Sequence, residues 1–321
     1  MINNSFYTVL KNGERAPIEK KGAVIALGTF DGVHSAHRAI IREAIALKKS
    51  IGAPLVGAWC FSELPARVLG KSNATKISTL EDKIQLLLSL GLDFVAVGDF
   101  KKICSLSPEE FVDDVLIEQL GALGAVCGFN HRFGKGGAGT SQLLTHRFGA
   151  DKVKVVPEVT LLGETVSSSA IRYHVAEGEV AIAAKMLERP YSVTAKVVGG
   201  KHLGHLLGFP TANIFFENGY LTPKHGIYAT LCYTEDGMRH IGVTNVGIRP
   251  TVEDGSDSHS LNCETYILNF NKNIYDSILT IEFYEYLREE RKFDSLRDLR
   301  AQIAEDAERA KEYFASLGID P

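Results

Sequence analysis

The 321-residue chain has one tryptophan, three methionines and five cysteines. Cys60, Cys104, Cys127, Cys232 and Cys263 are scattered, and no two form a Cys-x-x-Cys pair. That spacing argues against a zinc ribbon or a dithiol redox centre and predicts buried, reduced thiols. Long apolar runs are missing as well, and nothing approaches the ~20 residues that a membrane-spanning helix needs. Residues 1–21 are polar and lack the apolar centre of a secretory signal, so the expectation is a cytoplasmic protein with no membrane partner. Charge of one sign is absent too. The 35 basic and 39 acidic residues leave a formal charge of -4, without the basic footprint of a nucleic-acid binder. There is no repeat or low-complexity tract, and 45% hydrophobic with 23% charged residues is a globular composition, in a chain long enough for two cores.

What is present falls into two rhythms. Up to about Val156, apolar strands at 23–27, 55–60, 94–97, 125–128 and 153–156 alternate with helical segments such as 80–90 and 108–120. This β-α-β order predicts a mostly parallel sheet with helices on both faces, which binds ligands beyond the carboxyl ends of its strands. Residues 173–187 read as one closing helix. After Arg189-Pro190, short β-rich stretches at 191–198, 228–233, 239–246, 263–270 and 278–287 are separated by glycine and asparagine turns, which predicts a compact β-barrel. The last segment places Leu296, Leu299, Ile303, Ala307, Ala310 and Phe314 on one face, so a helix is expected to pack against that barrel. The boundary is placed near Glu188, giving domains 1–187 and 188–321.

The most informative stretch is Gly28-Thr29-Phe30-Asp31-Gly32-Val33-His34-Ser35-Ala36-His37, between a buried strand and a helix on which Ile40, Ile41, Ala44 and Ile45 recur. A helix starting here turns its first N–H groups and its positive dipole end toward the ligand side of the sheet. Gly28 and Gly32 permit a tight turn, Asp31 can orient a neighbouring N–H or imidazole, and His34 and His37 share one side of the first helical turn, where both can donate to phosphate.

Further along, Gly128-Phe129-Asn130-His131-Arg132-Phe133-Gly134-Lys135-Gly136-Gly137-Ala138-Gly139 follows a strand and suits a loop around a nucleotide, with Asn130 bonding ribose or phosphate. Ser167-Ser168-Ser169-Ala170-Ile171-Arg172 reads as a helix start able to cap itself and to face an anion, with Arg172 adding a planar fork. In the second half, the glycine-rich loop from Gly199 to Gly208, with Gly200 and Lys201, suits a flap over phosphates and leads into Phe209-Pro210-Thr211-Ala212-Asn213. Pro210 fixes the chain so that the oxygens of Thr211 and Asn213, two residues apart on an extended segment, can share a magnesium ion. Asn245-Val246-Gly247-Ile248-Arg249-Pro250-Thr251, Glu264 and Arg288-Glu289-Glu290-Arg291-Lys292-Phe293 follow.

The first string resembles the His-x-Gly-His signature of the nucleotidyltransferase superfamily in the form seen in bacterial bifunctional riboflavin kinase/FAD synthetases, with Ala36 at the usual glycine. The second-half blocks resemble the riboflavin kinase module. The resemblance implies a doubly wound, Rossmann-like nucleotidyltransferase domain followed by a β-barrel riboflavin kinase domain with a C-terminal helix. It implies ATP-dependent, Mg2+-dependent conversion of riboflavin to FMN and of FMN to FAD with release of pyrophosphate. His34 and His37 are then catalytic, and Glu264 accepts the proton of the riboflavin 5′-hydroxyl. Gly28, Phe30, Asp31, Asn130, Ser168, Ser169, Arg172, Gly200, Lys201, Gly208, Pro210 and Asn245 bind substrate or nucleotide, and Thr211 and Asn213 hold metal. Arg288 either contacts flavin or caps the fold. The chain departs from the family pattern at His131, usually apolar and aromatic, at Gly137 and Thr140, usually arginine and aspartate, and at Leu203 and His205, usually basic. A kinase with a silent first domain, a non-catalytic flavin- or nucleotide-binding regulator, and self-association stay open on sequence alone.

Overall fold

The structure, a computed structural model, describes residues 5–18, 22–199, 209–216, 219–249 and 260–319. They form two compact units, Met1–Ser168 and Ser169–Pro321.

In the first unit, β1 (Phe6–Leu10), β2 (Ala23–Leu27), β3 (Leu55–Phe61), β4 (Phe94–Gly98), β5 (Ala122–Gly128) and β6 (Val153–Val156) lie in the order β1-β4-β3-β2-β5-β6. All neighbours are parallel except β1, which adds antiparallel to β4. Every residue of β2 and β4 is buried, as expected for strands covered on both faces. On one face, Val24 and Ala26 meet Ile41 and Ala44 of α1 (Ser35–Ser50), whereas α2 (Pro65–Val68) is a single turn, and Leu87 of α3 (Leu80–Ser89) joins the same cluster. On the other face, α4 (Phe100–Ile103), α5 (Pro108–Glu110) with the π-helical Phe111–Gln119 that continues it, and α6 (Ser141–Phe148) cover Ala23, Ile25 and Leu27 through Ile103, Phe111, Val115 and Leu144. A small hairpin, β7 (Thr160–Leu161) and β8 (Glu164–Thr165), follows. From β2 the chain crosses to β3 on one side and later to β5 on the other, so the strand order reverses at the carboxyl end of β2, the position where such sheets take ligands.

The expected helix 173–187 is two helices, α7 (Ser168–Ala176) and α8 (Val180–Leu187), broken at Gly178, whose φ of +83° no helix accepts. α8 buries Val180, Ala183, Met186 and Leu187 and packs on β9 (Tyr191–Lys196) and on a later strand of the same unit, which is why residues 169–187 join the second unit rather than the first. An amphipathic pattern reveals an apolar face but not which sheet will cover it.

The second unit is a six-stranded antiparallel sheet in which β10 (Thr211–Phe215), β11 (Gly226–Tyr233), β12 (Arg239–Arg249), β13 (Ser260–Ile267) and β14 (Ile278–Arg288) join β9 in the order β10-β13-β12-β11-β14-β9. Just beyond β9, Val198 N donates to Asn213 O at 2.8 Å, linking the two edges of this half-barrel. Thr230, Thr244 and Thr265 form a fully buried hydroxyl chain across three neighbouring strands, at 2.8 and 2.9 Å.

α9 (Leu296–Ser316) starts at Ser295, whose hydroxyl accepts from Asp298 N. Its buried face differs from the expected apolar stripe: Ala307, Ala310 and Phe314 are buried, but so are Gln302 and Asp306, while Leu296 is exposed. The reason is Arg288 at the end of β14. Its Nε and Nη2 donate to the two carboxylate oxygens of Asp306 at 2.9 and 2.7 Å, and Gln302 Nε2 adds a bond at 3.1 Å. Among the described residues, no helix is long and apolar enough to cross a membrane.

Removing one partner of this enclosed pair leaves an uncompensated buried charge. Asp306→Ala is therefore expected to lower the stability of the second unit by about 3–5 kcal/mol, read from its urea unfolding transition. A loss below ~1 kcal/mol would mean that the pair behaves like an exposed one.

Candidate active sites

At the carboxyl end of β2 the chain makes a turn that ordinary residues resist. Phe30 and Val33 have φ values of +52° and +44° around Gly32 at +80°, and both side chains are fully buried. A β-branched residue in this region is a genuine outlier, with strain of about 1–3 kcal/mol per site. Asp31 holds the turn at both ends: Oδ1 accepts from Ile77 N at 3.0 Å, and its carbonyl accepts from Ser168 Oγ at 3.0 Å. Phe30 and Asp31 thus form the support of the site, and neither lines its cavity.

The strained turn delivers His34 to the N-cap of α1, where its Nδ1 faces His37 N at 3.4 Å. The two imidazoles stack, with centroids 3.6 Å apart and planes 18° from parallel, and the Phe30 ring lies 5.1 Å from that of His37. His37 Nδ1 is enclosed without a hydrogen-bond partner. Burial first, then the neighbouring His34 and Lys83, hold His37 well below the usual imidazole range, so it is neutral at pH 7. Gly28, His34, His37, Asn130 and Ser168 meet in one cavity of about 660 Å³ within the first unit. Rings stacked at a helix start, beside its first N–H groups, are an arrangement that suits an anion.

The glycine-rich loop is held as a turn: Phe133 and Gly139 exchange backbone bonds at 3.2 and 2.8 Å, and Lys135 N donates to Leu106 O at 2.7 Å. His131 lies inside it, its ring 5.9 Å from Phe133 and nearly parallel, and burial lowers its pKa to about 4. A ring, though not an apolar one, therefore packs on Phe133 from that position. Ser169 and Arg172 fall in the second unit, Ser169 exposed and Arg172 half-buried.

In the second unit, sheet register assembles the other group. Asn213 of β10 stands opposite Glu264 of β13, Glu264 opposite Asn245 of β12, Asn245 opposite Ile227 of β11, and Ile227 opposite Arg288 of β14. Residues directly opposite share a face with Cβ atoms about 4.5–5.5 Å apart, so four expected site residues stand in one row. Asn213 Oδ1 and Asn245 Oδ1 are enclosed acceptors without a partner. Pro210, Thr211 and Asn213 also line a cavity of about 470 Å³ together with the segment from Phe270 to Tyr275. Arg288 stands in the row, but its guanidinium is spent on Asp306, so of its two expected roles the structural one is filled. Gly200, Lys201 and Gly208 lie outside the described residues.

Four residues escaped the sequence reading. Trp59 forms part of the first cavity, with its Nε1 enclosed and unpartnered, and Phe129 is half-exposed at its mouth. Asn262, buried two residues before Glu264 on the same face, has an unpartnered Nδ2. Lys83 is buried within the apolar stripe of α3, and a lysine at that spacing was a readable signal.

A half-buried His131 held neutral makes the first unit acid-sensitive. Below the ordinary imidazole value of 6.5 the unfolded chain takes up protons that folded His131, at about 4, refuses, so stability is full above pH 6.5 and falls toward pH 4. His131→Phe is expected to flatten this decline, measured as first-unit unfolding in urea over that pH range; an unchanged slope would contradict the assignment.

A family model described as FAD synthetase matches residues 16–170, and one described as riboflavin kinase matches residues 187–314. The chain is 35% identical over 304 residues to a bifunctional riboflavin kinase/FMN adenylyltransferase of Bacillus subtilis, covering 93% of this chain and 95% of that one. It is 35% identical to the Listeria monocytogenes protein of the same name, over 92% of this chain and 93% of that one, and 29% identical to that of Escherichia coli K12, over 95% and 96%. A crystal structure from Streptococcus pneumoniae, described as a macrolide-efflux protein, shares the fold with a TM-score of 0.81 at 24% identity, over 94% of this chain and 96% of that one. With both halves matched and near full-length relatives at 35% identity, the chain belongs to the bifunctional riboflavin kinase/FMN adenylyltransferase family.

Proposed function

We propose that this chain phosphorylates riboflavin to FMN with ATP and adenylylates FMN to FAD, releasing pyrophosphate. The observation that carries the reading is that each half holds its own polar constellation: stacked histidines at the switch point of the unit matched by FAD synthetase, and the Asn213–Glu264–Asn245 row in the unit matched by riboflavin kinase. We take 1–187 and 188–321 as the functional domains, with α8 running up to the start of the riboflavin kinase match. Riboflavin, FMN and ATP as substrates suit a cytoplasmic enzyme.

In the kinase half, the riboflavin 5′-hydroxyl oxygen attacks the γ-phosphorus of ATP, the bond from that phosphorus to the β,γ-bridging oxygen breaks, and ADP leaves. Glu264 accepts the hydroxyl proton, and Asn245 Oδ1 beside it accepts from a second substrate hydroxyl. Thr211 and Asn213 suit magnesium, because their neutral oxygens share one side of β10 and the enclosed Asn213 Oδ1 lacks the partner that a cation would provide. Bound there with phosphate and water, the ion would neutralise charge on the transferring phosphate. Pro210 fixes the approach of β10. Arg288 acts as a positioning residue through Asp306.

In the adenylyl-transfer half, a phosphate oxygen of FMN attacks the α-phosphorus of ATP, the α,β-bridging bond breaks, and pyrophosphate leaves without a covalent enzyme intermediate. His34 and His37 donate to the α-phosphate and the leaving group, and Gly28 lets the backbone come close. Asn130 and Ser168, which line the same cavity as the histidines, hold the nucleotide.

Incubation with riboflavin, ATP and Mg2+, with the flavins separated over time, is expected to give FMN followed by FAD. FMN alone would leave a silent first half, and no product would overturn the enzymatic reading. Glu264→Gln is expected to slow FMN formation about 100-fold or more yet spare FAD formation from supplied FMN, and His37→Ala to do the reverse. Chelating Mg2+ is expected to stop both reactions.

A further inference from the structure

Lys83 is a cation standing where a helix would ordinarily place an apolar residue. α3 turns Ile84, Leu87 and Leu88 to the sheet, and Lys83 beside them is only 7% exposed. Its Nζ donates to Phe61 O at 2.7 Å, at the end of β3, and to Thr29 O at 3.4 Å, just beyond the end of β2. A buried ammonium carries a large desolvation cost that two carbonyls offset only in part, and a methionine would fill the same space without it. The charge therefore calls for a reason at the place it underlies. Thr29 opens the turn that leads to both histidines, whose rings stack on each other.

Resting on the adenylyl-transfer reading, we propose that Lys83 is a positioning residue of that site, tying the carboxyl ends of β2 and β3 together beneath the histidine pair and supplying a fixed, buried positive charge to its anion. Its field acts on His37 in the same direction as burial and His34. The lysine then supplies charge, and the neutral His37 imidazole supplies a directed N–H donor, a division that an imidazolium at that position would not need. The other titratable and charged groups around this point are Cys60 on β3, buried and under the same field; Asp31, whose carboxylate accepts from Ile77 N; Arg38 on α1, whose Nε faces Val33 O at 3.4 Å; and His131 across the cavity.

The test uses the full-length protein with Lys83→Met, which removes both tie and charge, and Lys83→Gln, which keeps a donor for Phe61 O but not the charge. Histidine NMR of the wild type is expected to place the His37 titration well below pH 6.5. Both variants are expected to raise that midpoint by about half a unit or more and to slow FAD formation from FMN about tenfold, with FMN formation from riboflavin unchanged. Lys83→Met is expected to lower the melting temperature further than Lys83→Gln. Variants that lose stability while the His37 midpoint stays in place would make Lys83 a structural tie only and overturn the proposal. A wild type that titrates as expected but forms no FAD would instead overturn the adenylyl-transfer reading, and with it the assignment of Lys83 to that reaction.

Discussion

The first unit depends on how Asp31 is held. Its carboxylate takes the Ile77 N–H, and its carbonyl takes the Ser168 hydroxyl. With those two bonds in place, Phe30 and Val33 stay in left-handed conformations that would otherwise relax, and α1 starts with His34 as its cap. The strain is local and the reward is positional. The turn leads directly into the helix start where the two rings stack at 3.6 Å. Ser168, at the far end of the unit's sequence, makes this one site from residues more than 130 positions apart.

The second unit solves a different problem, because its polar site lies on a sheet whose neighbouring positions must stay apolar. Register does this. Asn213, Glu264 and Asn245 come into one row from three strands far apart in sequence, and Ile227 in the same row begins the apolar patch that Ala307, Ala310 and Phe314 of α9 cover. The helix is fastened by Arg288 and Asp306, so the polar row and its apolar continuation are fixed by one enclosed ion pair. Enclosed amide oxygens without partners are costly, a cost that a bound donor or cation would remove.

Much of this was legible in the chain. Buried five-residue strands such as Ala23–Leu27 and the helical spacing after His37 specify a parallel sheet with covering helices, and the glycine-flanked turn marks the ligand end. Thr211 and Asn213 could be paired because alternation in a strand is local. The row that joins Asn213 to Glu264 and Asn245 could not, because register between distant strands is a tertiary property. Phe6–Leu10 went unread as a strand for a similar reason: five residues at the edge owe their conformation to pairing with β4. The packing of α9 through Ala307, Ala310 and Phe314 was legible, but not that Asp306 shares the face, because hydrophobic spacing counts it as a solvent residue, whereas Arg288, 18 positions earlier, makes it a buried one.

One chain is read as carrying two independent sites, one for each reaction. Mixing two defective full-length variants tests it most directly: Glu264→Gln, lacking the kinase base, and His37→Ala, lacking an adenylyl-transfer histidine, are supplied together with riboflavin, ATP and Mg2+. Neither alone should convert riboflavin to FAD at an appreciable rate, and the mixture should do so, because FMN made by one is adenylylated by the other. A mixture that yields no more FAD than its separate components would contradict two independent sites.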